Sequence, residues 1–237
     1  MHQTKKDLAT FFVNDINENH IILDENDSKH AIKVLRLKKG DVIDIINGSG
    51  IRAKGEIIEN HPKKTTVRLF DKIHFPKSTT LSLAFCPTKN NDRNDWIIEK
   101  ATEIGATDFY LIYSQNSERR KINLERIKKI TVSALKQSGN LWLPKIHGLM
   151  NYKEFINNNL SIQNKFIAHC KDSKKNELTT LVKSSEPQLL VIGPEGDFTS
   201  EEINLAEEKG FKMVSIGENR LRTETACITG VSLLKLI

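Results

Sequence analysis

Two stretches near the C-terminal end concentrate residue types able to hold a small charged ligand. The first, Gly193-Pro194-Glu195-Gly196-Asp197-Phe198-Thr199-Ser200, follows the apolar run 189–192. Two glycines around a rigid Pro-Glu pair let the backbone turn sharply and approach a ligand closely. Thr199 with Glu202 three residues on forms a capping box, which predicts a helix from that point. The second, Gly217-Glu218-Asn219-Arg220-Leu221-Arg222-Thr223-Glu224-Thr225-Ala226, lies between the apolar run 213–216 and an apolar helical pattern. Polar groups wedged between buried elements must be solvated or hydrogen-bonded, since each costs about 1–3 kcal/mol if buried unpaired. Arg222 and Glu224 fit either ligand contacts or a mutual structural clasp, and Thr223 or Thr225 fits a plain N-cap. Neither stretch has the glycine spacing of a dinucleotide fingerprint or a phosphate P-loop.

Other chemistries find little support. Cys86, Cys170 and Cys227 lie far apart, with no C-x-x-C pair and no histidine at zinc-ligand spacing. His169-Cys170 is the one adjacent pair, and neighbours on a strand point to opposite faces. Neither a metal site nor covalent cysteine chemistry is indicated.

The elements that must position these loops alternate strand and helix. Apolar strands are predicted over 81–86, 109–113, 166–170, 189–192 and 213–216, and helices over 92–104, 124–137, 201–209 and 225–236. Continuous apolar strands between helices indicate a parallel α/β sheet covered on both faces, with ligands at the carboxyl ends of its strands. Before residue 76 the rhythm differs. Strands over 42–46, 52–58 and 65–70, joined by glycine turns, predict a small antiparallel barrel. Between them, 28–37 predicts a helix with Ser28 as N-cap, an apolar stripe of Ala31, Val34 and Leu35, and Lys29, Lys33 and Arg36 on its other face. These residues suit RNA phosphates, and equally suit an ordinary solvated helix face. Phe75-Pro76-Lys77-Ser78 reads as a linker, which divides the chain into domains 1–75 and 76–237.

The 237 residues carry a net charge of +6, with 38% hydrophobic and 28% charged side chains, as in soluble globular proteins. The surplus is uneven: residues 1–75 carry net +2, 76–160 net +5 and 161–237 net −1. A basic surplus confined to the first two-thirds fits a polyanionic partner in that part, although a lysine-rich surface chosen for solubility fits charge alone as well. No apolar run approaches the roughly 20 residues that span a bilayer. With no leader pattern at the start, the expected location is the cytoplasm.

Together, G-P-E-G-D-F-T-S-E-E-I and, about 25 residues on, L-R-T-E-T-A resemble the ribosomal RNA small-subunit methyltransferase E family of the SPOUT class. The run His30-Ala31-Ile32-Lys33-Val34-Leu35-Arg36, then Gly40-Asp41, is similar to that family's N-terminal RNA-binding domain. Lys89, Asp92-Arg93 and Glu99-Lys100-Ala101-Thr102-Glu103-Ile104-Gly105-Ala106 are similar to its first catalytic-domain helix. Ser117-Glu118-Arg119, Gln137-Ser138 and Pro144 extend the match over nearly the whole chain.

The resemblance implies a PUA-like RNA-binding β-barrel followed by a SPOUT α/β domain with a parallel sheet and a C-terminal trefoil knot. It implies methyl transfer from S-adenosyl-L-methionine to N3 of a uridine, uracil-1498, in 16S ribosomal RNA or the small ribosomal subunit, by a homodimer. On that basis Ile192, Gly193, Gly196, Ile216, Gly217, Leu221, Arg222 and Thr223 are the expected cofactor-binding residues. Arg222 is assigned to the uracil anion, and Glu195 or Glu224 to orienting the base or the cofactor's cation. Lys29, Lys33 and Arg36 are assigned to RNA. Two positions depart from the family pattern: Asp197 replaces the second glycine of the usual Gly-Gly, and Thr10 replaces an arginine before Phe11-Phe12, with Lys5 or Lys6 as substitutes. The competing classes are a non-catalytic RNA-binding or ribosome-assembly protein retaining the fold, and a nucleotide-binding α/β enzyme of another chemistry.

Overall fold

The computed structural model describes residues 8–16, 18–158, 161–172, 174–183 and 185–237; Lys5 and Lys6 lie outside them. The described residues up to Lys77, with Leu135–Leu143, form one unit; Ser78–Ala134 with Pro144–Ile237 form the other.

In the first unit, β1 (Thr10–Phe12), β2 (His20–Ile22), β3 (Val42–Ile46), β4 (Ile51–Glu59) and β5 (Thr66–His74) make a five-stranded sheet ordered β1-β3-β4-β5-β2. β1 joins parallel to β3 and the other pairs are antiparallel, so the expected antiparallel sheet has one parallel edge. The turn between β3 and β4 is shaped by the Asn47 side-chain oxygen, which accepts from the N–H groups of Ser49 (2.9 Å) and Ile51 (3.1 Å). Alternation along the strands buries Phe11, Ile43, Ile45, Ile57 and Val67 in one core.

The basic helix differs from expectation at both ends. Helix α1 (Glu25–Lys29) starts earlier, with Asp24 as its N-cap accepting from the Asp27 N–H at 2.7 Å. Ser28 is buried inside it; its hydroxyl donates to the Leu23 carbonyl (3.0 Å) and accepts from the Thr65 N–H (2.9 Å). A π-helical turn, His30–Val34, follows. Its wider winding turns the chain off the expected stripe: Ala31 stays buried, whereas Val34 and Leu35 are 63% and 40% exposed. Leu135–Leu143 joins this unit through main-chain bonds between Leu143 and Gly48 and between Gly50 and Leu141 (both 2.8 Å), and a Lys136–Asp27 ion pair at 2.9 Å.

In the second unit, the chain runs β6 (Leu81–Phe85), α2 (Asn91–Ile104), β7 (Asp108–Tyr113), α3 (Leu124–Ser138), β8 (Lys145–Asn151), α4 (Tyr152–Asn158), β9 (Asn164–Ala168), β10 (Asn176–Glu177), β11 (Gln188–Ile192), α5 (Ser200–Glu208), β12 (Lys212–Ser215) and α6 (Thr223–Leu236). The seven strands are all parallel, in the order β10-β12-β9-β11-β6-β7-β8. β6 and β11 are buried along their whole length, as two-sided burial in a parallel sheet requires. Residues of α2, α3 and α6 pack on one face, Ile98, Ile127 and Val231 among them, and Phe155 of α4 and Ile203 of α5 pack on the other. Gly230 lets α6 lie close on β11: a Cβ there would come within 2.2 Å of the Leu190 side chain. β8, α4 and β10 were not anticipated. β8 and β10 are sheet-edge strands of mixed polarity, which lack the apolar run that marks a central strand.

Candidate active site

The strand order places β9 between β12 and β11, with Ala168 opposite both Val214 and Ile192. The carboxyl ends of these three strands therefore meet, and the loops beyond them enclose a cavity of about 700 Å³.

The glycine loop leaves β11 through Gly193, where a Cβ would approach the buried Phe198 ring to 3.0 Å. The Asp197 N–H donates to the Pro194 carbonyl at 2.9 Å, closing a tight turn with Asp197 at φ 60°. That conformation suits glycine and is tolerated by aspartate. Helix α5 then starts with the predicted capping box: the Glu202 N–H donates to the Thr199 hydroxyl (3.2 Å) and the Thr199 N–H to the Glu202 carboxylate (2.9 Å). The other Glu202 oxygen accepts from the Gln115 N–H at 2.8 Å, and the Asn116 amide donates to the carbonyls of Gly196 (3.2 Å) and Asp197 (2.9 Å). The loop after β7 thus braces the glycine loop from outside the cavity.

The second loop leads from β12 into α6. Its N-cap is Arg222, which supplies no side-chain acceptor, so neither Thr223 nor Thr225 caps the helix. Thr223 is buried, and its hydroxyl donates to the Gly193 carbonyl at 3.3 Å, tying the two loops together. No clasp joins Arg222 to Glu224. One Glu224 oxygen lies 3.4 Å from Nε of Arg93 on α2, and the other is buried with no partner.

The third wall comes from the segment after β9. His169 is buried, and neither of its ring nitrogens has a hydrogen-bond partner. Burial holds its pKa below the ordinary histidine value, Lys175 and Lys171 push the same way, and Asp197 opposes them. Burial also pushes the Cys86 thiol up to about 11 and raises that of the fully buried Cys227, so neither supplies a thiolate at neutral pH. Among the described residues no cluster of three or more His, Cys, Asp or Glu is placed to hold a metal.

Ile192, Gly193, Glu195, Ile216, Gly217, Leu221, Arg222, Thr223 and Glu224 all line this one cavity. Gly196 does not; it faces Asn116, whose Cβ would lie 3.1 Å from a Cβ at Gly196. Arg93, His169 and Lys175 line the cavity as well, and sequence reasoning missed them. The apolar strand before His169 was a usable signal, but the neighbouring strands that turn its end into a wall are set by sheet order. Lys29, Lys33 and Arg36 are exposed in the first unit, Arg36 at φ 56°, and make no ion pair among the described residues.

The chain matches the RNA methyltransferase domain family over residues 76–235 and the RNA methyltransferase PUA domain family over 23–70. It is 31% identical to the Ribosomal RNA small subunit methyltransferase E of Rickettsia conorii, over 88% of this chain and 86% of that protein. Among solved structures, a probable rRNA-methyltransferase from Porphyromonas gingivalis superposes with a TM-score of 0.88 at 30% identity, covering 96% of this chain and 98% of its own. A ribosomal RNA small subunit methyltransferase E from Neisseria gonorrhoeae, bound to S-adenosyl methionine, shares the fold with a TM-score of 0.82 at 23% identity, over 94% of this chain and 95% of its own. The chain belongs to the ribosomal RNA small subunit methyltransferase E family.

Proposed function

We propose that this protein methylates N3 of a uridine in 16S ribosomal RNA, with uracil-1498 as the expected target, using S-adenosyl-L-methionine held in the cavity beyond β9, β11 and β12. The observation that carries this reading is that two residues lining one cavity hold buried polar atoms without protein partners: both His169 ring nitrogens and one oxygen of Glu224. Protein interiors rarely leave such groups unpaired, so a bound molecule is the natural source of their hydrogen bonds. Helix α6 opens toward the same loops with no side-chain cap, which leaves its first N–H groups in need of acceptors. The volume suits a ligand of nucleoside size.

When bound, S-adenosyl-L-methionine supplies an electrophilic methyl group on a sulfonium centre. Main-chain groups at Ile192-Gly193, Ile216-Gly217 and Leu221–Thr223 hold its adenosyl part. Glu224, half-neutralised by Arg93, keeps a free carboxylate oxygen for a cationic group. Glu195 is exposed at the tip of the glycine loop and orients the base. Arg222, exposed and unpaired among the described residues, stabilises the negative charge on the pyrimidine as N3 loses its proton. N3 lies on the Watson–Crick edge, so the uridine must be unpaired or splayed out to react. Lys29, Lys33 and Arg36 grip RNA phosphates. On the same reading the protein works in the cytoplasm as a homodimer, with its last segment threaded as a trefoil knot.

Calorimetric titration with S-adenosyl-L-methionine separates this reading from a pure RNA-binding protein, which would give no heat. Mass spectrometry of rRNA from a deletion strain should then show a missing methyluridine that the wild-type gene restores. An unchanged nucleoside profile would reject the reaction.

A further inference from the structure

The peptide unit between His169 and Cys170 is held at both ends. Its carbonyl accepts from the Lys175 ammonium at 3.2 Å, and its N–H donates to Oδ2 of Asp197 at 2.8 Å. Lys175 also donates to the Lys171 carbonyl at 2.8 Å, so two carbonyls beyond β9 share one ammonium group. The second Asp197 oxygen accepts from the Phe198 N–H, also at 2.8 Å. Asp197 takes up, at φ 60°, the left-handed conformation that a glycine adopts most readily. A carboxylate is thereby fixed in the glycine loop and used to hold the neighbouring loop.

What this clamp fixes is His169, a cavity-lining residue 7% exposed, whose Nδ1 and Nε2 are both buried without a hydrogen-bond partner. An uncharged imidazole offers one donor and one acceptor, so a buried ring of this kind suits a ligand carrying both. We propose that His169 hydrogen-bonds S-adenosyl-L-methionine directly, and that Asp197 and Lys175 are positioning residues that fix it through the 169–170 peptide. The inference rests on the methyltransferase reading above and adds to it a residue outside the two recognised loops.

The charged groups acting on the His169 ring are Lys175 and Lys171, which disfavour its protonation, and Asp197, which favours it. Because binding needs the uncharged ring, affinity for S-adenosyl-L-methionine should fall on acidification through the His169 pKa, below the ordinary histidine range. Calorimetric titration of the full-length protein with S-adenosyl-L-methionine between about pH 5 and about pH 8 reads this directly. His169→Gln keeps a donor and an acceptor but cannot titrate. It should bind about tenfold more weakly at neutral pH and lose the acid step. Asp197→Asn retains an acceptor for the Cys170 N–H but removes the negative charge, so the acid step should move to lower pH. This second variant keeps the test decisive if His169→Gln folds poorly, as melting curves would reveal. Asp197→Gly frees the 169–170 peptide and should weaken binding less than His169→Gln does. Wild-type affinity and an unshifted acid step in both His169→Gln and Asp197→Asn would overturn the inference while leaving the methyltransferase reading intact. A wild-type protein that binds no S-adenosyl-L-methionine would reject both.

Discussion

The two units treat charge in opposite ways. On the outer face of the small sheet, cations are matched: Arg52 pairs with Asp44, Lys54 with Asp71 and Arg68 with Glu56. Lys29 on α1, Lys33 on the π-helical turn and Arg36 just beyond it stand unmatched in solvent. In the larger unit three cavity-lining residues carry unmatched groups: buried atoms of His169 and Glu224, and the exposed side chain of Arg222. Solvated charge attracts a polyanion at long range, through counterion release and with strong salt dependence. Desolvated groups act on a small ligand at hydrogen-bond distance, where salt matters little. The contrast implies separable functions, and substitutions in one unit should leave the other's ligand alone.

The largest effect should come from Arg222→Ala. If its guanidinium stabilises charge that develops only during reaction, the methylation rate should drop about a hundredfold while cofactor affinity stays near wild type. Single-turnover kinetics beside calorimetry would check both halves; a wild-type rate would remove Arg222 from the chemistry. Glu224→Gln comes next. It removes the negative charge of this cavity-lining side chain but keeps the shape, and should weaken cofactor binding on the order of thirtyfold, at low and high salt alike. A strong salt dependence of that loss would place Glu224 in the solvated class.

Reversing Lys29, Lys33 and Arg36 to Glu probes the other side of the comparison. RNA or subunit affinity should fall on the order of tenfold, and the salt slope should flatten by about two, near 0.7 for each lost single-strand phosphate contact. Cofactor affinity should not move. An unchanged slope would mean that the three cations are an ordinary solvated face.

Features set by local or two-sided patterns were legible in the sequence. The largely apolar, wholly buried β6 and β11 could be read as central parallel strands, and the Thr199–Glu202 capping box depends only on residues three apart. Both recognised loops converge on one cavity because each directly follows a strand of the parallel sheet, β11 or β12, on either side of β9. What stayed hidden depends on distant partners. Ser28 has the composition of an N-cap, yet its hydroxyl is taken by the Thr65 N–H, and Asp24 caps the helix instead. Arg222 and Glu224 are near enough in sequence to suggest a clasp, but Glu224 finds Arg93 on α2. His169 becomes a wall residue only because β9 lies between β12 and β11, an order no local pattern encodes.

The smallest predicted effect tests whether the units are independent. Asp24→Ala deletes the exposed cap of α1, whose carboxylate accepts from the Asp27 N–H at 2.7 Å, and should cost about 1 kcal/mol of first-unit stability. The cations it helps to present lie at and beyond the end of that helix, so RNA affinity should fall slightly. Asp24 is not among the residues that line the cavity, so cofactor affinity should match wild type. Thermal melting, RNA titration and cofactor titration on the same sample would show whether the loss stays in the first unit. Weakened cofactor binding in Asp24→Ala would mean that the units are coupled, and that the contrast between a solvated grip and a desolvated pocket describes one connected surface.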